Sequence, residues 1–168
     1  MSVVRESVVT KVLVSGCFDM LHSGHVEFFQ RAAACGDELV VALGSDKTIF
    51  DLKGRLPVNS ESERRFMVQN VSCVHQALIS NGSGYFDFEP ELRTLHPDVL
   101  VVNEDGNTPD KRKLVESLGI EYVMLQCTPH GGLHPRSTTA LPSSCATIQY
   151  NNESVGFSEF VGLEFRIR

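Results

Sequence analysis

Apolar runs alternate with amphipathic stretches along most of the chain, and this alternation sets the element order. Val8 to Ser15 is rich in β-branched residues and stops at Gly16, the pattern of a strand buried on both faces. The stretch HVEFFQRAAACG then spaces Val26, Phe29 and Ala33 along one face of a helix, with Gly36 as its stop signal. A second apolar run, ELVVALG, covers Glu38 to Gly44 and reads as the next strand. A polar connection leads to SESERRFMVQNV, where Ser60 and Glu63 stand in capping-box spacing and open a helix.

The pattern continues in the second half. HQALIS, His75 to Ser80, reads as a short strand and FEPELRTLH as a short helix. DVLVVN, Asp98 to Asn103, is a strong strand signal. Thr108 as N-cap and Pro109 at the first helical position open DKRKLVESLG, Gly119 closes it, and EYVMLQ gives a fifth strand. Strand and helix in turn predict an α/β fold of one domain, a doubly wound parallel sheet. Such sheets take ligands at the carboxyl ends of their strands. From Pro142 onward no period is sustained, so an added edge strand, a partner-binding tail and a disordered segment all stay open. The predicted organisation is a domain over residues 8–141 followed by an unassigned tail, 142–168.

Bulk properties narrow the function. A chain of 168 residues suits one core. A formal net charge of −6 argues against a nucleic-acid partner, which calls for a basic surface, but leaves room for a small anion in a local basic pocket. The five cysteines form no C-x-x-C pair and their number is odd, so reduced thiols in a cytoplasmic protein are expected. MSVVRESVVTK lacks the apolar centre of a secretory signal, and no later run is long enough to span a bilayer, so no membrane insertion is expected.

The chemistry concentrates in GCFDMLHSGH, Gly16 to His25, at the end of the first strand. A strand feeding a helix exposes unpaired N–H groups and a positive dipole end, which attract anions. Gly24 has no Cβ and allows a phosphate to approach the backbone. His22 and His25 are three apart and project to one side at a helix start, where imidazoles donate to phosphate oxygens without a permanent charge. A zinc pair is the rival, but no third ligand has recognisable spacing and H-E-x-x-H is absent. Asp19 either contacts substrate or metal, or caps backbone N–H groups. His75, His96, His130 and His134 read as structural or exposed, and TPHGGLHP as a loop. GSDKT lacks Walker spacing, GSG at Gly82 to Gly84 is no dinucleotide fingerprint, and NEDGNTPD lacks the EF-hand order.

The same ten residues closely resemble the G-x-[FY]-D-x-x-H-x-G-H segment of the cytidylyltransferase-like nucleotidyltransferases, especially phosphoethanolamine and glycerol-3-phosphate cytidylyltransferases. KGRLPVNSESERRFMVQNV is similar to that family's lysine loop and E-R helix, and RSTT, Arg136 to Thr139, to its late S-T-T segment. Two departures stand out: Arg136 directly precedes Ser137, and Pro142 interrupts the helix expected after S-T-T.

The resemblance implies a Rossmann-like sheet and transfer of a nucleoside monophosphate from CTP to a phosphorylated acceptor, with Mg²⁺ and release of pyrophosphate. It places Gly16, Cys17, Phe18, His22, Gly24, His25, Arg136, Ser137, Thr138 and Thr139 on the nucleotide. Catalysis falls to His22, His25 and Lys53, and the acceptor phosphate to Lys53 and Arg64, with Arg55 as helper. For Lys53 and Arg64 the plain alternative is a solvated side chain on a wet face. It also suggests a homodimer. ATP in place of CTP, or a catalytically weak nucleotide-binding or regulatory domain, are the alternatives. The acceptor stays open among phosphoethanolamine, glycerol phosphate and a sugar phosphate.

Overall fold

In a computed structural model, residues 9–126 and 133 are described, together with the backbone of two strands at 147–150 and 153–156. Five parallel strands form one sheet in the order β3-β2-β1-β4-β5. They are β1 (Lys11–Gly16), β2 (Glu38–Leu43), β3 (Gln76–Ile79), β4 (Val99–Asn103) and β5 (Glu121–Leu125). The helices are α1 (Ser23–Ala33), α2 (Asp46–Lys53), α3 (Glu61–Gln69), α4 (Glu89–Leu95) and α5 (Pro109–Ser117). The predicted doubly wound α/β sheet is therefore present.

Central β1 explains its own unbroken apolar run. Val12, Leu13 and Val14 all have no exposed surface, because both faces of the sheet are covered. On one face Val12, Val14, Val41 and Leu43 pack with Phe29 and Ala32 of α1 and Val68 of α3. On the other, Leu13, Val40, Ala42, Leu100 and Val102 pack with Phe88, Leu92 of α4 and Val115 of α5. The strand order reverses direction between β1 and β4, so a crevice opens there at the carboxyl ends.

Local signals account for most boundaries. Ser60 accepts from the Glu63 N–H and Glu63 reaches back to the Ser60 N–H, a complete capping box. Thr108 caps α5 by accepting from Lys111, with Pro109 following it. Two differences from expectation emerge. β1 opens at Lys11, with Val9 and Thr10 as irregular backbone before it. The polar connection after β2 contains α2, capped by Ser45 accepting from Thr48 and ended by Gly54 in the left-handed region at φ 67°. In a separate unit, β6 (Thr147–Tyr150) pairs antiparallel with β7 (Glu153–Gly156), Ile148 opposite Val155. The segment left unassigned by sequence thus contains two paired antiparallel strands.

Candidate active site

The signature builds its site by folding an aromatic ring back over the end of β1. A Cβ at Gly16 would lie 2.9 Å from Phe18 Cζ, so only glycine admits the ring there. Phe18 and Met20 take left-handed backbone, φ 48° and 51°, at a cost of about 1–2 kcal/mol each. Such strain persists where packing over-determines it. Here the Phe18 ring meets Phe29 at 4.8 Å between centroids and the His25 edge at 5.4 Å. Phe18 is thereby a core residue whose ring fixes the plane of a histidine.

His22 is the N-cap position of α1, and its carbonyl accepts from His25 and Val26 N–H groups. The two imidazoles stack at 3.8 Å between centroids, 20° from parallel. Both His22 nitrogens and His25 Nδ1 are enclosed, and among the described residues His25 Nδ1 has no hydrogen-bond partner. Burial, and then the neighbouring His22, push the His25 pKa down to about 4, with Asp19 pulling up and Lys53 pushing down. At neutral pH His25 is therefore an uncharged imidazole. Lys53, the last residue of α2, is exposed and close enough to act on this ring by charge.

Two backbone carbonyls of the signature are engaged within the protein. Gly16 O accepts from the Gly44 N–H at 3.1 Å, and Cys17 O from Arg64 at 2.6 Å. Oxygens committed inside the protein do not repel an incoming phosphate.

Asp19 is almost wholly buried and serves a distant loop. Its carboxylate accepts from the N–H groups of Val58 and Asn59, and from Arg55 at 3.4 Å. Burial alone would push its pKa up, but these donors hold it below the usual carboxylate value. Asp19 thus pins the α2–α3 connection to the histidine loop, which sets where Lys53 and Arg55 begin.

Arg64 corrects an expectation. It has no exposed surface, and its guanidinium donates to Cys17 O, Gly44 O, Asn59 O and Asp46 Oδ1 at 2.6 to 3.1 Å. It bolts the ends of β1 and β2 to α2 and α3, so it does not face an acceptor phosphate, while Arg65 beside it is exposed. Sequence offered no sign of this, since both arginines lie in one polar helix. Arg136, Ser137, Thr138 and Thr139 lie outside the described residues. His75 and His96 are exposed, as expected.

Among the described residues no three His, Cys, Asp or Glu side chains gather to hold a metal, and Asp19 is already engaged. No described helix is long and apolar enough to cross a membrane.

Comparisons with known proteins agree with this fold. The cytidylyltransferase-like family model matches residues 13–140. The bifunctional protein HldE of Wolinella succinogenes is 39% identical over 131 residues, 77% of this chain and 26% of that protein. HldE of Syntrophotalea carbinolica is 41% identical over 117 residues, 66% and 22% of the two chains. The chain spans about a quarter of the length of these relatives. Among solved structures, a lipopolysaccharide core biosynthesis protein from Thermoplasma volcanium superposes with TM-score 0.62 at 23% identity, covering 73% of this chain and 99% of that one. Pantothenate synthetase from Thermus thermophilus gives 0.51 at 14%, covering 70% and 55%. These last two share the fold. Sheet order, paired histidines and family match together make the chain a member of the cytidylyltransferase-like nucleotidyltransferase family.

Proposed function

We propose that the chain transfers a nucleoside monophosphate from a nucleoside triphosphate to a phosphorylated small molecule, releasing pyrophosphate. The observation that carries this reading is the enclosed His22–His25 stack at the start of α1, beside the β1–β4 crevice. An acceptor phosphate oxygen attacks the α-phosphorus, a new O–P bond forms, and the bond to the bridging oxygen breaks with its electrons leaving on pyrophosphate. No side-chain nucleophile is required, and positioning and charge stabilisation do the work. The two imidazoles donate hydrogen bonds to the α- and β-phosphates, and these bonds strengthen as charge gathers on the leaving group. With Arg64 sealed in the core, Lys53 and Arg55 are the cations that hold the acceptor's phosphate. Gly24 at the second helical position lets the triphosphate approach the helix N-terminus. Mg²⁺ enters on the triphosphate as part of the substrate.

CTP is the first nucleotide to test and ATP the second, against phosphoethanolamine, glycerol 3-phosphate and a sugar phosphate. Pyrophosphate release is the readout, with His22→Ala and His25→Ala beside the unaltered chain. The expected result is release that needs both nucleotide and acceptor, and falls at least about a hundredfold in either variant, the scale of losing a transition-state donor. Release that survives loss of both histidines overturns their role. Nucleotide binding without release for every pair overturns the transferase reading in favour of a regulatory domain.

A further inference from the structure

Asp19 joins the histidine loop to the α2–α3 connection through two contacts of very different quality. It lies between Phe18 and Met20, the two residues of that loop with left-handed backbone. The Val58 N–H sits 3.0 Å from its Oδ1 and 3.1 Å from its Oδ2, and the Asn59 N–H donates to Oδ1 at 3.3 Å. These backbone donors anchor the carboxylate whatever Arg55 does.

The Arg55 contact is weaker. Its Nη1 stands 3.4 Å from Asp19 Oδ2, where charge-assisted bonds of this type run to about 2.7–2.9 Å. The same Nη1 donates to Leu56 O at 3.2 Å, and among the described residues it is the only guanidinium nitrogen with a partner. The side chain is 49% exposed, so water screens the pair. A structural arginine in this chain looks different. Arg64 commits all three of its nitrogens to four acceptors and has no exposed surface.

A guanidinium that meets its carboxylate through one nitrogen, at long range and half in water, leaves it at little cost. A phosphate dianion offers more, two oxygens for a fork of parallel N–H bonds. We propose that Asp19 parks Arg55 on the histidine loop in the free chain, and that an arriving acceptor phosphate takes Arg55 away. Asp19 is then a positioning residue, acting on the acceptor only through Arg55. The inference rests on the reading of Lys53 and Arg55 as the acceptor's cations and adds the hand-over between them and the histidines. Burial first, then His22 and Lys53, disfavour the His25 imidazolium, and Asp19 favours it. Once Arg55 has left and Lys53 faces a phosphate, the Asp19 charge is less opposed. His25 then holds a proton, and with it a nucleotide phosphate, more readily. The acceptor and nucleotide sites are thereby coupled across one carboxylate.

The test uses Asp19→Asn, which keeps a carbonyl oxygen for the Val58 and Asn59 N–H groups and removes the charge. Calorimetric titration of the full chain with inorganic phosphate and with glycerol 3-phosphate compares it with the unaltered chain, Arg55→Gln and the double variant. Melting curves verify folding. A screened pair of this kind shifts an equilibrium up to about fivefold, so Asp19→Asn should bind both probes about two- to fivefold tighter. In the Arg55→Gln background the same substitution should change binding by less than about 1.5-fold. Histidine NMR titrations add a second readout. Phosphate should raise the His25 pKa in the unaltered chain, and raise it less in Asp19→Asn.

Weaker binding in Asp19→Asn overturns the proposal, by making the carboxylate a fixed scaffold for Arg55. Tightening that persists without Arg55 also overturns it, as plain repulsion by Asp19. A His25 response that is the same in both chains removes the coupling. Independently of any variant, phosphate should shift the Arg55 side-chain resonances of the unaltered chain, and binding that leaves them in place overturns the hand-over. Failure of both probes to bind overturns it together with the acceptor role of Arg55. None of these readouts needs turnover. Hand-over without pyrophosphate release from any nucleotide keeps this inference and sinks the transferase reading, and release with phosphate binding indifferent to Asp19→Asn does the reverse.

Discussion

Arg64→Leu separates a structural bolt from a substrate contact. The guanidinium has four protein acceptors, three backbone carbonyls and the Asp46 carboxylate, and no exposed surface. Leucine fills much of the volume and supplies no donor. Asp46 is a third exposed and regains water, but the carbonyls of Cys17 and Gly44 stay at the strand ends without a partner. At about 1–3 kcal/mol for each orphaned acceptor, the loss comes to about 3–5 kcal/mol, the range for breaking a buried ion pair. For a chain of this size that lowers the melting temperature by roughly 10 °C. Arg64→Lys keeps the charge but not the fork, and should fall between. Thermal and urea unfolding measure the loss, and the acceptor's KM is read from pyrophosphate release on the folded fraction. The expected result is a lower melting temperature with acceptor KM changed less than threefold in Arg64→Lys. A wild-type melting curve with acceptor KM raised tenfold or more would refute the bolt and return Arg64 to the acceptor.

Three other outcomes follow from named contacts. His25, titrated by NMR, should protonate near pH 4 in the free chain. Its folded pKa lies below the unfolded value of 6.5, so the unfolded state binds the proton first. Stability should therefore fall as pH drops from 6.5 to about 4, by roughly 3 kcal/mol in all, and a flat profile in His25→Asn would identify the group. Gly16→Ala drives a methyl into the Phe18 ring and should cut nucleotide affinity at least about tenfold through the displaced histidine, checked by calorimetry against His25→Ala. Ser60→Ala removes the α3 cap and should cost about 1 kcal/mol in urea unfolding without changing nucleotide affinity.

Which features were legible depends on how far their causes reach along the chain. The Ser60–Glu63 box and Thr108–Pro109 start are local, written in four residues each, and both stand in the structure. The five strands were legible because a sheet covered on both faces demands apolar runs. Helix α2 was not, since Ile49 is buried while Phe50 and Leu52 face outward, which blurs any helical stripe. Its ends are marked only by Ser45 and Gly54. The three-residue spacing of His22 and His25 brought their rings side by side. Arg64 and Arg65 were indistinguishable in sequence, because what seals one is a set of carbonyls up to 47 residues away. Glu91 and Lys111 sit in segments of ordinary polar composition and are made unusual only by the packing that buries them.

The pairing of β1 with β4 carries a consequence for how the chain folds. The Asp98 N–H donates to Lys11 O, and the Asp98 carboxylate accepts from the Lys11 N–H at 2.7 Å, across 87 residues of sequence. The β1–β2 half of the sheet can close over far shorter loops. Loop entropy therefore delays the β1–β4 seam relative to the β1–β2 seam, and the crevice exists only once the later one has formed. A newborn chain holds both histidines long before it holds a site. Nucleotide would then bind only molecules that have finished folding, and would hold that last seam shut.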